Sequence, residues 1–141
     1  MDLRLFREGA CFTLYSIEVG YTLAEYLENL ELSNLSEHDR IVARLGQLAD
    51  RGASRKKDEF NDLGDDLYEA KTRNGARVFF FYQKNQIVIC TQGFSKQSQK
   101  TPKREIATAL SKKRMYEQAK ISGEKIRVII SDNQEKPRRL P

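Results

Sequence analysis

Apolar and polar residues alternate along Phe12-Thr13-Leu14-Tyr15-Ser16-Ile17, which predicts a strand with Phe12, Leu14 and Ser16 on one face and Tyr15 and Ile17 on the other. The period then lengthens. Leu23, Tyr26, Leu27 and Leu30 recur at helical spacing behind Thr22-Leu23-Ala24-Glu25, a capping-box pattern in which a hydroxyl and a carboxylate satisfy free amides at a helix start. This first helix is expected to end near Leu30. Ser33-Asn34 interrupts the pattern, Ser36 is placed to cap a second helix with Glu37 and Asp39 near its positive end, and Ile41, Leu45 and Leu48 carry the stripe to Arg51-Gly52. Ala53 to Asp66 is polar and reads as an irregular connection, with Asp65-Asp66 a turn feature rather than a metal pair.

Three strands follow, at about Leu67 to Thr72, Arg77 to Gln83 and Gln86 to Thr91. Asn74-Gly75 and Lys84-Asn85 join them with tight-turn chemistry, so this part of the sheet should be antiparallel. Gly93 is expected to permit a close turn, with Phe94 anchoring the loop. Thr101-Pro102 should start a last helix, with a hydroxyl cap ahead of Pro, and Ile106, Ala109 and Leu110 as its apolar side. Lys125 to Ile130 suits a short extra strand at a sheet edge, and Asp132 to Pro141 lacks any apolar period. The expected fold is α+β in the order β-α-α-β-β-β, an antiparallel sheet packed on two N-terminal helices, with a basic C-terminal helix and an extra edge strand. One domain over residues 1–130 and a disordered tail over 131–141 follow.

Composition changes this picture in one respect. The net charge is +5, yet residues 1–95 hold 12 Lys/Arg against 15 Asp/Glu while residues 96–141 hold 13 against 5. A cationic C-terminal third on a mildly acidic body implies a polyanion engaged by one surface, nucleic acid before membrane, because a basic helix with an aromatic face is lacking. Charged residues make up 32% and interrupt every long apolar run, and Met1 to Glu8 is too charged for a secretory signal. Cytoplasm is the simplest compartment. Cys11 and Cys90 stand far apart and read as buried, reduced thiols.

Candidate chemistry concentrates at the first hairpin. A two-residue Asn74-Gly75 loop pairs Thr72 with Arg77 and sends Lys71 and Arg77 to opposite faces. A three-residue loop, Arg73-Asn74-Gly75, pairs Lys71 directly with Arg77 on one face. The second is favoured, with Gly75 as the left-handed bulge residue; like charges opposite each other repel by themselves, so such a pairing makes most sense with an anion between them. Lys96 can reach the same place from a neighbouring strand end. Phe79, Phe80, Phe81 and Tyr82 fill the core by number, with Tyr82 the best candidate to stack a base. His38, the only histidine, reads as a surface helix residue, and zinc spacings, HExxH, Walker loops and nucleophile elbows are lacking. No cofactor is expected.

The elements Tyr68-Glu69-Ala70-Lys71-Thr72-Arg73, Arg77-Val78-Phe79-Phe80-Phe81-Tyr82, Gly93-Phe94-Ser95-Lys96 and Thr101-Pro102 occur in this order. Together they resemble the RelE/HigB toxin superfamily, especially its phage-type HigB-like branch, over about residues 12 to 118. The resemblance implies a toxin of a type II toxin-antitoxin pair that enters the ribosome and cuts messenger RNA without a metal, by attack of a 2′-hydroxyl on its adjacent phosphate. Lys71 would then act as general base or charge stabiliser, Arg77 would hold the phosphorane charge, and Lys96 would stand near the leaving oxygen. Arg73, Lys100, Lys103 and Arg104 would contact RNA, and Tyr116 is a candidate for the family's Tyr if the last helix folds over the sheet. Glu69 stands where the best-known relatives carry a second Lys. A cognate antitoxin and the ribosome are the implied partners. The alternative is a toxin of the same fold that inhibits a target such as DNA gyrase by binding alone, and a basic DNA-binding regulator is a third reading that lacks a one-sided recognition helix.

Overall fold

The computed structural model describes residues 1–96 and 101–130, together with the backbone of 138–139. In chain order the elements are β1 (Asp2–Glu8), β2 (Thr13–Ile17), α1 (Leu23–Ser33), α2 (Leu35–Arg51), β3 (Phe60–Gly64), β4 (Leu67–Lys71), β5 (Ala76–Gln83), β6 (Ile87–Ser95), α3 (Lys103–Ser122), β7 (Arg127–Ile129) and the two-residue β8 (Arg138–Arg139). They form one α+β unit around a mixed sheet in the order β3-β4-β5-β6-β2-β1-β7-β8.

Strand side chains alternate between two layers, as the pleat requires. Leu14, Ala70, Val78, Phe80 and Val88 meet the stripes of α1 and α2, while Phe79 and Leu67 meet Ala109, and Tyr15, Phe81 and Ile89 meet Tyr116 on α3. Because helices cover both faces of β5, its apolar run is continuous instead of alternating. Thr22 accepts from the Glu25 amide at 3.2 Å as the capping box requires, and α1 runs three residues past Leu30. The second cap is Asn34, not Ser36: its side chain accepts from the Glu37 amide at 3.2 Å, and the same residue ends α1.

Four expectations give way. The charged stretch Met1 to Glu8, which carries no element in the sequence pattern, holds β1, whose alternation is broken by a bulge between Leu5 and Arg7. Part of the polar connection is β3, which turns into β4 through Asp65 and Asp66, both at φ 56°. The sheet is mixed because the long passage from β2 to β6 returns the chain in the same direction, and β7 likewise lies parallel to β1. Nor is β7 an outer edge, since β8 pairs with it. Of the tail expected to lack structure, residues 131–137 and 140–141 lie outside the described residues. Among the described residues, no helix is long and apolar enough to cross a membrane.

Cys90 is fully buried, which pushes its thiol up to about 12, whereas Cys11 is only half-buried and its Sγ donates to the Asp50 carbonyl at 3.2 Å. The N-terminus meets the segment that follows α3: the Met1 ammonium bonds Glu124 Oε2 at 2.5 Å, and Arg127 grips Asp2 with two contacts of 2.9 Å.

Candidate anion and nucleic-acid site

The β4–β5 hairpin has the three-residue loop. Lys71 stands opposite Arg77, Thr72 N donates to Ala76 O at 3.0 Å, and Gly75 takes φ 111°, a conformation that disfavours any residue with a Cβ. A Cβ at Gly75 would also lie 2.5 Å from the Lys96 carbonyl. Paired positions on adjacent strands share a face, so Lys71 and Arg77 emerge together on the α3 side. Lys96 joins them because its amide donates to Gly75 O at 2.7 Å.

Helix α2 fixes this register from the opposite side. Glu37, in its first turn, is buried and accepts from the Thr72 hydroxyl and from the Ala76 amide at 3.1 Å. Arg44 Nε donates to the Lys71 carbonyl at 2.9 Å, and the Lys71 amide donates to Glu59 O at 2.8 Å. The backbone carrying Lys71 is thus held on both sides. Its ammonium donates to Lys57 O at 3.1 Å. Arg77 is 6% exposed; its Nη1 donates to Thr72 O at 2.7 Å and to Ala76 O at 2.9 Å, while its Nε is buried without a partner.

Among the described residues, none of these three cations forms an ion pair. Burial pulls the Arg77 guanidinium below its ordinary pKa, against the attraction of Glu69 and Glu37. Lys96 is also pulled down, first by desolvation and then by the charges of Arg77 and Lys71, with Glu69 opposing. Such a cluster gains most from a dianionic or trigonal-bipyramidal phosphate, whose charge relieves the repulsion and whose oxygens take the free donors.

Other sequence candidates separate from the cluster. Tyr82 points to the α1–α2 layer near the far end of β5, packed on Phe12 at 5.4 Å and Tyr68 at 5.2 Å between ring centroids. Tyr116 does lie on a helix folded over the sheet, but it is 1% exposed and packed edge-on against Phe81, with burial raising its phenol to about 12. Tyr116 is therefore a core residue, and Tyr82 is a half-buried one packed against the core. Arg73 is exposed at the hairpin tip, and Lys103 and Arg104 are exposed in the first turn of α3. Lys100 lies outside the described residues.

Three further residues shape the site. Glu37 read only as a helix-dipole partner, because its reach into a hairpin 35 residues away has no local signal. Thr101 does not cap α3; Pro102 takes that position, and the Thr101 hydroxyl donates instead to the buried Glu69 at 3.3 Å, tying the helix start to β4. Gly93 makes no turn but continues β6, where a Cβ would lie 2.2 Å from the Tyr26 ring. His38 is half-buried between Glu31 and Asp39, at 3.3 and 3.0 Å, distant in sequence and contact from the cations. Among the described residues, no three His, Cys, Asp or Glu side chains converge as a metal-binding group.

No curated protein matches the chain. The family model described as Phage derived protein Gp49-like (DUF891) matches residues 25–114, which run from α1 to the middle of α3 and include every cation of the cluster. The chain therefore belongs to the phage-derived Gp49-like family, a family of RelE-like toxins.

Proposed function

We propose that this chain is the toxin of a toxin-antitoxin pair and that it cleaves messenger RNA on the ribosome. The observation that carries the reading is the pairing of Lys71 with Arg77, with Lys96 hydrogen-bonded to the same hairpin. The scissile phosphate would lie against these three side chains. The 2′-oxygen attacks phosphorus as its proton leaves to Lys71 in the neutral form, or to solvent while Lys71 holds charge as ammonium. Arg77 stabilises the phosphorane oxygens, and the bond to the 5′-oxygen breaks as that oxygen takes a proton from the Lys96 ammonium. Depression of the Lys96 pKa suits this acid role, since its proton is released more readily than that of an ordinary lysine. The products are a 2′,3′-cyclic phosphate and a 5′-hydroxyl. An antitoxin would neutralise the protein by covering the cationic face.

Expression with and without the adjacent reading frame tests the reading. The expected result is growth arrest relieved by the neighbour, with codon-positioned messenger cuts mapped by primer extension. Accumulation of folded protein with intact messenger and inhibited DNA supercoiling would overturn it in favour of a target-binding toxin.

A further inference from the structure

Strand β2 covers β6 only from Ile87 to Cys90, whereas β6 runs on to Ser95. Beyond Cys90 its outer edge opens into a cleft of about 550 Å³ between α1 and α3. Phe94, in the cleft wall, stands directly opposite Arg77, and Ser95, also in the wall, precedes Lys96. One end of the cleft therefore abuts the cations. We propose that this cleft receives a large apolar side chain of the antitoxin, carried on a segment whose neighbouring carboxylate meets the cation cluster; the inference deepens the toxin-antitoxin reading and rests on it for the partner.

The polar side chains of the wall are turned on the protein itself. Asn29 Nδ2 donates to the Tyr21 hydroxyl at 2.9 Å, and the Tyr26 hydroxyl bonds Ser95 Oγ at 2.9 Å. The Ser33 hydroxyl donates to Asn29 O at 2.9 Å, and that of Thr108 to Arg104 O at 3.0 Å. Gln92 Nε2 is spent on the Glu105 carbonyl at 3.0 Å, and the buried Lys112 ammonium on Tyr21 O at 2.9 Å and Thr91 O at 3.1 Å. An occupant therefore meets chiefly the surfaces of Tyr21, Tyr26, Leu30 and Phe94. A pocket of that character suits an aromatic or branched aliphatic anchor, the kind of group that dominates protein interfaces.

Charge fixes what stands next to the anchor. Lys71 Nζ and Arg77 Nη1 donate to backbone carbonyls, and Arg77 Nε is buried without a partner. A carboxylate a few residues from the anchor would answer these cations while the anchor stays in the cleft. RNA is the competing occupant, and the wall is poorly furnished for it. A nucleobase carries hydrogen-bonding groups around its edge that would be buried without partners, and the Glu105 carboxylate in the wall repels a phosphodiester chain. Nor does the partner enter as an added strand, because Lys112 already occupies a backbone acceptor of the β6 edge and strand addition needs a free ladder.

The probe is the product of the adjacent reading frame, titrated into ¹⁵N-labelled protein and, separately, into a translation reaction. It should move the amides of Leu30, Phe94, Ser95 and Thr108 together with that of Lys96. Thr108→Trp, at an exposed position of the α3 wall, fills the cleft. This variant should cut messenger at the wild-type rate yet need at least about thirtyfold more of the neighbour's product for inhibition, the loss expected when a central anchor is displaced. Ser33→Trp approaches from the α1 wall and should do the same, so a folding failure of one variant leaves the other to decide. Lys96→Ala should weaken binding about tenfold while the cleft amides still shift, as loss of one charged hydrogen bond does. Inhibition of both Trp variants at the wild-type concentration overturns the proposal, as do shifts that avoid the cleft. Cleft amides that answer a 2′-O-methyl RNA oligonucleotide and not the neighbour's product overturn it in favour of a nucleotide site. Docking in the cleft of a protein that leaves messenger intact supports the proposal and defeats the ribonuclease reading alone, whereas a neighbour's product that binds nowhere defeats the toxin-antitoxin reading and the proposal with it.

Discussion

The two ends of β5 are built on opposite principles. At the Gln83 end, Phe80 and Tyr82 interlock with Phe12, Phe60 and Tyr68 through ring contacts between 5.2 and 6.4 Å, an arrangement whose stability comes from area removed from water. At the Ala76 end, the same strand delivers a buried arginine, and the hairpin is held by Glu37, Arg44 and a glycine in a left-handed turn. Like charges are collected there at a cost to folding, the expected signature of a site shaped for an anion rather than for stability. One end supplies the rigidity that the other spends.

Removing a ring from the apolar end should have the largest effect on folding. Phe80→Ala is expected to cost about 3–5 kcal/mol in urea unfolding, because the cavity opens among three other rings. At the other end, Arg77→Ala should lower messenger cutting by roughly 10² to 10³, or about 2.7–4 kcal/mol of transition-state stabilisation, in a translation reaction. Glu37→Ala leaves the Thr72 hydroxyl without its acceptor and the Ala76 amide with Thr72 Oγ1 alone, so a loss of about 1–3 kcal/mol is expected, with faster hydrogen exchange at Ala76. If stability and Ala76 exchange stay at wild-type values, α2 does not fix the register.

The Lys96 environment yields a pH test. With Lys96 as the acid, cutting requires its ammonium, so the rate should fall as pH rises through a pKa below the ordinary 10.5. Lys96→Arg, whose charge persists above pH 12, should remove that descending limb while lowering the rate. The smallest effect belongs to Tyr82→Phe, expected to change stability by no more than about 0.5 kcal/mol and to leave cutting at the wild-type rate. A large loss of cutting there would erase the division between the two ends.

Local patterns carried much of this molecule into the sequence. The stripes of α1 and α2 were legible as helices, and the turn residues of the hairpin, with Gly75 as the bulge residue, led to the register that places Lys71 opposite Arg77. What escaped depends on distant partners. β1 hid behind a bulge that breaks a period of two, and β3 is polar because it is a sheet edge with one neighbour. Gly93 carried a turn signal, yet its real constraint is an aromatic ring from α1, and Thr101 carried a cap signal that a buried glutamate claimed. Tyr82 and Tyr116 bore the residue type for stacking, but α3 turned Tyr116 into core and the neighbouring rings of Phe12 and Tyr68 half-bury Tyr82. Lys112, one of several cations along α3, gave no sign that its ammonium would be buried against two carbonyls.

The chemistry of RNA ends produced in a purified translation reaction tests the central claim most directly. The account predicts fragments ending in 2′,3′-cyclic phosphate and 5′-hydroxyl, formed by the wild-type protein and strongly reduced with folded Lys96→Ala and Arg77→Ala. Cuts bearing 5′-phosphates, or undiminished cutting by both variants, would contradict it.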